Sequence, residues 1–347
     1  MRKVNVGVIG YGMAGSVFHG PLIASVEGLV LSTVVSSKPD AVQRDFPGVT
    51  VTPDIRAMLA DPAVEVVVVA SPNSTHFLYA QMALEAGKHV IVDKPFSIRV
   101  SEADELIALA ARKNLLLTAF QNRRYDNDFL TVRKVIDEGL LGNLYIYEAH
   151  YDLFRPQISA KWKEHAGEGC GALYDLGPHL IDQAVQLFGA PKTVFAELIR
   201  QRPGAEVDDY FHLILGYGAL RVILGSGWVV KQPGPHFMVH GDKGSLIKYG
   251  LDSQQPDLQK GLRPGHPRWG RDQEEYYAEL ALGQDRTAKS RLETIPGCYE
   301  VFYQGIYKAI VHGEPLPVKA TEARTALRVI ECAIKSNDEM RTVVFSD

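Results

Sequence analysis

The chain has 347 residues, a length that suggests two domains rather than one hydrophobic core. Its composition, with 46% hydrophobic and 22% charged residues and a formal net charge of −4, is that of a soluble globular protein and lacks the basic excess that nucleic acids or acidic membranes attract. The three cysteines, Cys170, Cys298 and Cys332, are far apart and odd in number, which argues against a disulfide framework or a zinc site. Because no segment approaches the roughly 20 apolar residues of a membrane helix, we expect a cytoplasmic protein without a membrane or nucleic-acid partner.

The N-terminal segment has the pattern of a buried strand that runs into a glycine-rich turn. An apolar stretch at residues 3–9 precedes the sequence G-x-G-x-x-G, and an amphipathic segment follows it up to Val26. In this motif the first glycine allows a tight turn, the second a close approach of phosphate oxygens, and the third close packing of helix and strand. Because spaced glycines also occur by chance in purely structural turns, the flanking segments carry the prediction of a dinucleotide site. The predicted cofactor-binding residues of the turn are Gly10, Tyr11, Gly12, Met13, Ala14 and Gly15.

Strand-like and helix-like segments alternate through the first 120 residues. One helix is predicted to begin at Ser74 or Thr75 and to end at Gly87, and a capping box of Ser101 and Asp104 is predicted to open another. This order indicates a doubly wound parallel sheet, hence a Rossmann NAD(P)-binding domain at residues 1–120 with ligands at the carboxyl ends of its strands. The strands are predicted at residues 3–9, 29–35, 49–51, 64–70, 89–93 and 115–120.

The residues after the second strand bear on the choice of cofactor. Enzymes that use NAD usually have Asp or Glu at this point to bind the ribose hydroxyls, whereas this chain has Ser36, Ser37 and Lys38. Two hydroxyls and a cation suit a 2′-phosphate that a carboxylate would repel, so the sequence favours NADP over NAD. The alternative is a solvated turn before a helix, with Asp40 supplying a late acid.

Two further strand ends carry candidate residues. The turn after the fourth strand contains Ser71, Asn73 and His76, and it either donates backbone N–H groups to a phosphate or ribose or simply caps a helix. The fifth strand ends in Asp93 and Lys94, and the following proline fixes the next φ angle. A lone lysine is usually a surface residue, but one at this position is a candidate for holding the cofactor and for polarising a substrate oxygen.

The second half, residues 121–347, is predicted to be an α+β domain that binds substrate and mediates oligomerisation. Its sheet is expected to be largely antiparallel, with helices on one face and another subunit against the other. His236 and His240 share a strand face without an evident third ligand, so no metal site is predicted. Strands are predicted at residues 144–151, 193–201, 210–217, 220–229, 237–240 and 245–249, helices at 128–138, 299–312 and 321–337, and a long loop at 251–272.

A glycine-rich segment at residues 167–177 leads into a helix that ends at Gly189. Pro178 is tolerable only in a first turn, which sets the helix start near Asp175 or Leu176. Asp175 and His179 are four residues apart and so share one face, where they could serve as an orienting carboxylate and a general base. The alternative is that Asp175 is a helix cap and His179 a buried structural histidine.

These residues resemble the Gfo/Idh/MocA oxidoreductases, which include glucose–fructose oxidoreductase and inositol dehydrogenases, over essentially the whole chain. The shared motifs are the glycine turn, the Lys94-Pro95 pair and Asp175-x-x-x-His179. Segments 15–22, 122–129 and 174–177 are most similar to NADP-dependent scyllo-inositol dehydrogenases. One departure is Asp93, which stands where the family usually has Glu and could alter the orientation of Lys94.

The resemblance implies hydride transfer between a nicotinamide and a carbinol carbon of a polyol or sugar. It implies His179 as the base, Lys94 as the group that binds the reacting oxygen, and Asp175 as a residue that orients either of them or binds a neighbouring hydroxyl. Arg123 and Trp162 are weaker substrate-binding candidates. The expected assembly is a homodimer or homotetramer formed through the open sheet face. Two alternatives stay open: a dehydrogenase or reductase of an aldose, an anhydro-ketose or a dihydrodiol, and a cofactor-sensing regulator of the same fold.

Overall fold

The structure is a computed structural model that describes residues 2–285 and 288–346. The chain forms two compact units, each built around one sheet. The first unit comprises Met1–Asn122, Gln254–Trp269 and Cys298–Arg324, and the second comprises Arg123–Ser253, Gly270–Gly297 and Thr325–Asp347. The chain first changes unit beside residue 120, but two later segments return to the first unit. The assignment of separate functions to residues 1–120 and 121–347 stays a prediction.

The first unit contains a six-stranded sheet whose strand pairs are all parallel, as predicted. The strand order is β3-β2-β1-β4-β5-β6, so the order reverses between β1 and β4, where doubly wound sheets bind ligands. The four valines of β4 are at most 1% exposed, which explains their unbroken apolar run. The strands are β1 (Val4–Ile9), β2 (Leu29–Val35), β3 (Thr50–Thr52), β4 (Val66–Val69), β5 (His89–Val92) and β6 (Leu117–Ala119).

Short helices connect these strands, and a π-helical turn at Ala14–His19 precedes the first of them. The predicted capping box of Ser101 and Asp104 is wrong. Instead, the carboxylate of Glu102 accepts the backbone N–H groups of Ile98 and Arg99, which places the helix start two residues earlier than the predicted register. The helices are α1 (Gly20–Ala24), α2 (Pro39–Asp45), α3 (Ile55–Ala60), α4 (His76–Glu85) and α5 (Val100–Lys113).

The second unit contains a sheet with nine strands among the described residues, in the order β14-β13-β12-β11-β7-β10-β9-β8-β15. Neighbouring strands are antiparallel except β7 and β10, which are parallel, so the prediction of a mostly antiparallel sheet is confirmed. The strands are β7 (Leu144–His150), β8 (Thr193–Ile199), β9 (Tyr210–Tyr217), β10 (Leu220–Gly227), β11 (Phe237–Gly241), β12 (Gly244–Lys248), β13 (Ala278–Leu282), β14 (Ser290–Leu292) and β15 (Val343–Val344).

The remaining helices include one that the sequence did not predict, because it lies in the presumed loop at residues 251–272. Pro256 falls in its first turn, where a proline is tolerated, and Gln254 accepts the backbone N–H of Tyr299. Within the described part of the chain, no helix has both the length and the hydropathy needed to cross a bilayer. These helices are α6 (Asn127–Asp137), α7 (Ala172–Asp175), α8 (Gly177–Phe188), α9 (Gln254–Gln259), α10 (Glu300–His312) and α11 (Ala320–Glu339).

The two faces of the second sheet differ in burial. Tyr147 and Ala149 on β7 are fully buried on the face that α8 helps to cover. The opposite face carries a row of half-buried apolar side chains that pair in register across the strands, interrupted by Glu148. This row, which we call the outer apolar row, consists of Phe195, Ile214, Ile223, Met238 and Ile247.

The covered face also buries ionisable groups. Asp128, with no exposed surface, accepts the backbone N–H of Phe129 at 2.6 Å, and its Oδ2 lies 3.6 Å from Nε2 of His236. His236 Nδ1 donates to the carbonyl of His150, which leaves the Nε2 lone pair facing the carboxyl group. Burial raises the pKa of Asp128 from its ordinary 3.8 to about 6 and lowers the pKa of His236 to about 4.

Replacing Asp128 by asparagine should therefore stabilise the protein above pH 7. A carboxyl group whose pKa is raised on folding contributes full stability below its unfolded pKa of 3.8 and loses it as the pH rises through about 6. Above that pH, ionisation of buried Asp128 lowers the free energy of unfolding by about 3 kcal/mol at most. Asparagine keeps the acceptor for Phe129 and offers an N–H to His236. We expect calorimetry to give an unfolding midpoint several degrees higher at pH 8, with a gain that shrinks towards pH 5. A gain independent of pH would contradict the titration of Asp128.

Candidate active site

The glycine turn meets three different steric demands. Gly10 has φ +100°, and a Cβ there would lie 2.5 Å from the carbonyl oxygen of Ala70, while a Cβ on Gly15 would lie 2.2 Å from the carbonyl oxygen of Gly10. A Cβ on Gly12 would meet no atom within 4 Å. Packing within the chain thus explains the first and third glycines but not the second. The open space over Gly12 fits the backbone approach that a dinucleotide phosphate requires.

The end of β2 is polar and accessible. Ser36 is half-buried and Ser37 and Lys38 are exposed, and the Ser36 hydroxyl accepts the backbone N–H of Lys38 at 3.0 Å. The nearby carboxylate of Asp45 receives the Tyr11 hydroxyl at 2.8 Å, and burial together with this bond raises the pKa of Tyr11. Neither serine forms a hydrogen bond with a carboxylate among the described residues. Both hydroxyls and the Lys38 ammonium can therefore bind an anion.

The turns after β4 and β5 are held together by His76, which is 1% exposed. Its Nδ1 lies 2.7 Å from the carbonyl oxygen of Pro95 and its Nε2 lies 2.9 Å from that of Ser71. Burial lowers the pKa of His76, and a neutral ring donates to one of the two carbonyls. His76 therefore links the two turns, whereas its contact with a cofactor, like that of Asn73 in the 3₁₀ turn Asn73–Thr75, stays a prediction.

Lys94 follows an ionised carboxylate at the end of β5. Asp93 accepts the backbone N–H of Lys94 at 2.9 Å. Burial alone would raise the pKa of Asp93, but His19 and Lys94 outweigh it and hold the pKa below its ordinary value. The shorter side chain that replaces the family's glutamate thus remains a charged partner beside the lysine.

In the second unit, Asp175 ends α7 and His179 lies in the first turn of α8, with exposures of 8% and 6%. The predicted position of Pro178 in a first turn is confirmed. The glycine-rich segment packs against the Asp208 carboxylate. A Cβ on Gly171, at φ +93°, would lie 2.1 Å from that carboxylate, so the close contact requires glycine. Asp208 in turn accepts the backbone N–H of Leu173 at 2.7 Å and so caps α7, the end of which bears Asp175.

The sequence did not identify the ion-pair partner of Asp175, which is Lys163. Its Nζ lies 2.7 Å from both carboxylate oxygens. The turn that carries Lys163 is anchored by Glu164, whose fully buried side chain bonds Ser159 at 2.6 Å and Arg202 at 2.9 Å. The signal was present as the charged run at residues 161–165 directly before the glycines, but such a run is typical of a solvated loop.

Replacing Lys163 by methionine should lower kcat by roughly 10- to 100-fold, because the Asp175 carboxylate loses the ion pair that restrains both of its oxygens. Arginine at this position should retain part of the activity. Steady-state kinetics and the unfolding midpoint are measured together. Methionine at the exposed Lys161, which forms no ion pair among the described residues, is the control. A normal kcat with a lowered midpoint would assign Lys163 a purely structural role.

The two weaker substrate-binding candidates differ in their surroundings. The guanidinium of Arg123 is 3.0 Å from Asp126, donates to the Tyr151 hydroxyl at 2.8 Å, and lies 4.8 Å from the centre of that ring. Trp162, in contrast, is 46% exposed. Arg123 is thus committed to internal contacts, and a substrate contact of either residue stays a prediction. Lys94 belongs to the first unit, and Arg123, Trp162, Asp175 and His179 belong to the second.

The described residues include no group of three or more His, Cys, Asp or Glu side chains suited to a metal ion. His236 is engaged by backbone and by Asp128, and Nδ1 of His240 lies 2.8 Å from the Ser245 hydroxyl. Both histidines therefore have polar partners within the second unit that account for their orientation.

Comparison with known proteins identifies the family. Residues 4–121 match the oxidoreductase family with an NAD-binding Rossmann fold, and residues 133–345 match its C-terminal α/β domain. The NADP(+)-dependent scyllo-inositol 2-dehydrogenase IolW of Bacillus subtilis is 42% identical over 349 residues, which cover 99% of this chain and 97% of IolW. Oxidoreductase YdgJ of Escherichia coli is also 42% identical, with 98% of each chain covered. The solved structure of oxidoreductase YvaA from Bacillus subtilis covers 99% of both chains at 40% identity with a TM-score of 0.97. The chain therefore belongs to the Gfo/Idh/MocA family of oxidoreductases.

Proposed function

We propose that this protein is an NADP-dependent dehydrogenase that acts on a secondary alcohol, or the corresponding ketone, of a cyclic polyol or sugar, with an inositol as the favoured substrate. The observation that carries the proposal is Lys94 beside an ionised Asp93 at the carboxyl edge of a dinucleotide-binding sheet. The similarity to IolW, named for scyllo-inositol and NADP(+), supports the substrate class and the cofactor.

The residues present suit the proton and charge changes of this reaction. When bound, the nicotinamide would supply or accept a hydride at its C4. Oxidation of the carbinol also releases the hydroxyl proton, which His179 would take as general base and return in the reductive direction. Lys94 would stabilise the negative charge that develops on the oxygen. Asp175, fixed by Lys163, would orient a catalytic group or bind a neighbouring hydroxyl.

The preference for NADP is proposed from the end of β2. Ser36, Ser37 and Lys38 offer two hydroxyls and one cation to a 2′-phosphate. We expect Lys38→Ala to weaken NADPH binding roughly 10-fold while NADH binding changes little, because a single phosphate–ammonium contact is lost. Fluorescence titration of both reduced cofactors measures this difference. An equal change for the two cofactors would place Lys38 away from the 2′-phosphate.

A substrate panel tests the reaction itself. The protein is mixed with NADP or NAD and with inositol isomers, aldoses, an anhydro-ketose or a dihydrodiol, and absorbance of the reduced nicotinamide is followed in both directions. Turnover of an inositol with NADP is the expected result. Turnover of the other compounds alone would favour the related dehydrogenases, and cofactor binding without any turnover would favour a regulator.

We also propose that the protein forms a homodimer or homotetramer through the outer face of the second sheet. The outer apolar row would otherwise leave five apolar side chains partly in water on one continuous surface. Light scattering of the wild type should give a multiple of the 38.3 kDa chain mass. A charged substitution in the row, Ile223→Glu, should reduce that mass, and a monomeric wild type would refute the proposal.

A further inference from the structure

His19 is a buried histidine to which the reaction proposed above gives no role. The π-helical turn places its ring in the core of the first unit, with no exposed surface and with the Phe120 ring centre 4.4 Å away. Its Nδ1 lies 2.6 Å from the hydroxyl of Tyr303. Its Nε2 lies 3.8 Å from Oδ1 of Asp93 and makes no hydrogen bond within the described residues. Irregular helical turns of this kind are frequent at functional sites.

The surroundings of the ring select one arrangement of its proton. Burial and the nearby Asp93 raise the pKa of Tyr303 well above its ordinary value, so the hydroxyl keeps its proton and can donate it to Nδ1. The ring then carries a proton on Nε2, directed at the Asp93 carboxylate. The opposite tautomer would set the Nε2 lone pair against that carboxylate, which electrostatic repulsion disfavours.

Asp93 connects this arrangement to Lys94. The oxygen that faces His19, Oδ1, is also the oxygen that accepts the backbone N–H of Lys94 at 2.9 Å. Two N–H groups from different elements therefore converge on one carboxylate oxygen. At 3.8 Å the imidazole N–H attracts the carboxylate electrostatically without a hydrogen bond, and its loss would weaken the restraint on the orientation of Asp93 and so on Lys94, which follows it.

We propose that Tyr303 and His19 position the Asp93 carboxylate and, through it, the Lys94 side chain, which makes His19 a positioning residue for the reaction. The inference rests on the proposed role of Lys94. His19 touches neither substrate nor cofactor in this scheme. His19 acts by restraining the Asp93 carboxylate, which could otherwise rotate away from the backbone N–H of Lys94 towards solvent.

The alternative is that His19 only fills space beside Phe120, and two isosteric substitutions separate the possibilities. His19→Gln extends an amide to the position of Nε2 and so keeps a donor for Asp93. His19→Asn ends near Nδ1 and keeps only the contact with Tyr303. Tyr303→Phe removes the hydroxyl and keeps the ring. Tyr307→Phe is the matched control, because Tyr307 lies one turn later on α10 and its hydroxyl donates to Arg2 instead.

We expect His19→Asn to lower kcat roughly 10- to 100-fold while the dissociation constant of NADPH stays within about twofold. His19→Gln should lose no more than about fivefold, Tyr303→Phe should fall between the two, and Tyr307→Phe should behave as the wild type. Unfolding midpoints of the two His19 variants should be similar. Equal losses of kcat in both variants, or losses that follow the midpoints, would overturn the proposal, because a packing role does not distinguish the two amides.

A second measurement needs no substrate. In the NADP-loaded protein with ¹⁵N-labelled histidine, the His19 signal is assigned by its absence in His19→Gln, and NMR then reads which ring nitrogen carries the proton. The proposal expects the proton on Nε2, and a shift towards Nδ1 in Tyr303→Phe. If the wild type turns over no polyol but shows this tautomer, the proposed function fails and the positioning arrangement stands. If the wild type is active and the proton is on Nδ1, the positioning arrangement fails and the function stands.

Discussion

Replacement of Lys94 by methionine should lower kcat by roughly 100- to 1,000-fold and leave NADPH binding within about twofold. The side chain extends from the carboxyl end of β5, the edge at which sheets of this type bind their ligands. An ammonium at this position stabilises the transition state, in which negative charge develops on the reacting oxygen, more than it stabilises the ground-state complex. The loss should therefore fall on kcat and on kcat/KM to a similar extent.

The measurement combines steady-state kinetics on the substrate that the panel identifies with a fluorescence titration of NADPH. Lys308→Met, at an exposed position of α10 in the same unit, controls for the loss of a positive charge alone. Normal turnover of Lys94→Met would show that the assignment of this lysine is wrong. A loss of NADPH binding parallel to the loss of kcat would make Lys94 a cofactor-binding residue only.

A double variant tests whether residues of the two units act in the same step. If Lys94 and His179 stabilise one transition state, Lys94→Met combined with His179→Asn should lose much less than the product of the two single losses. Fully multiplicative losses would indicate that the two residues contribute to separate steps.

The sequence predicted the strands of the first unit well, for a physical reason. Strands such as β4 are buried on both sides and so appear as unbroken apolar runs, and the glycine turn marks where the first of them ends. In the second unit, β13, β14 and β15 were missed, because they are short or bear charged residues and depend on neighbours for their pairing. The parallel pairing of β7 with β10 is a tertiary feature that no local pattern records.

The same distinction applies to the candidate residues. Lys94, Asp175 and His179 were proposed because a strand end, a glycine-rich segment and Pro178 are local signals, although Asp175 and His179 lie on separate helices that helix periodicity does not relate. Their partners were not, because Lys163 reaches Asp175 from an irregular turn and Tyr303 reaches His19 across 284 positions of the chain. A residue's own position is often local information, but the neighbours that tune its chemistry come from the whole fold.

The second prediction with a large expected effect separates binding from folding at the glycine turn. Gly12→Ala should leave the unfolding midpoint within about 1–2 °C, because the added Cβ meets no atom within 4 Å. NADPH affinity should nevertheless fall by about 10-fold or more, since the methyl group would occupy the space through which a phosphate approaches the backbone. Gly15→Ala should instead lower the stability of the fold, because its Cβ would lie 2.2 Å from a backbone oxygen. We expect the free energy of unfolding to fall by roughly 3–5 kcal/mol.

Calorimetry and NADPH titration of both variants check this contrast, with Gly234→Ala as the control. Gly234 also has open space at its Cβ position and no positive φ, but it belongs to the second unit and not to the turn. Gly12→Ala and Gly234→Ala should thus be equally stable and differ only in affinity for NADPH. If Gly12→Ala binds NADPH as tightly as the wild type, no phosphate approaches Gly12. The open space over that residue would then not indicate a dinucleotide site, and only membership of the family would support cofactor binding at this turn.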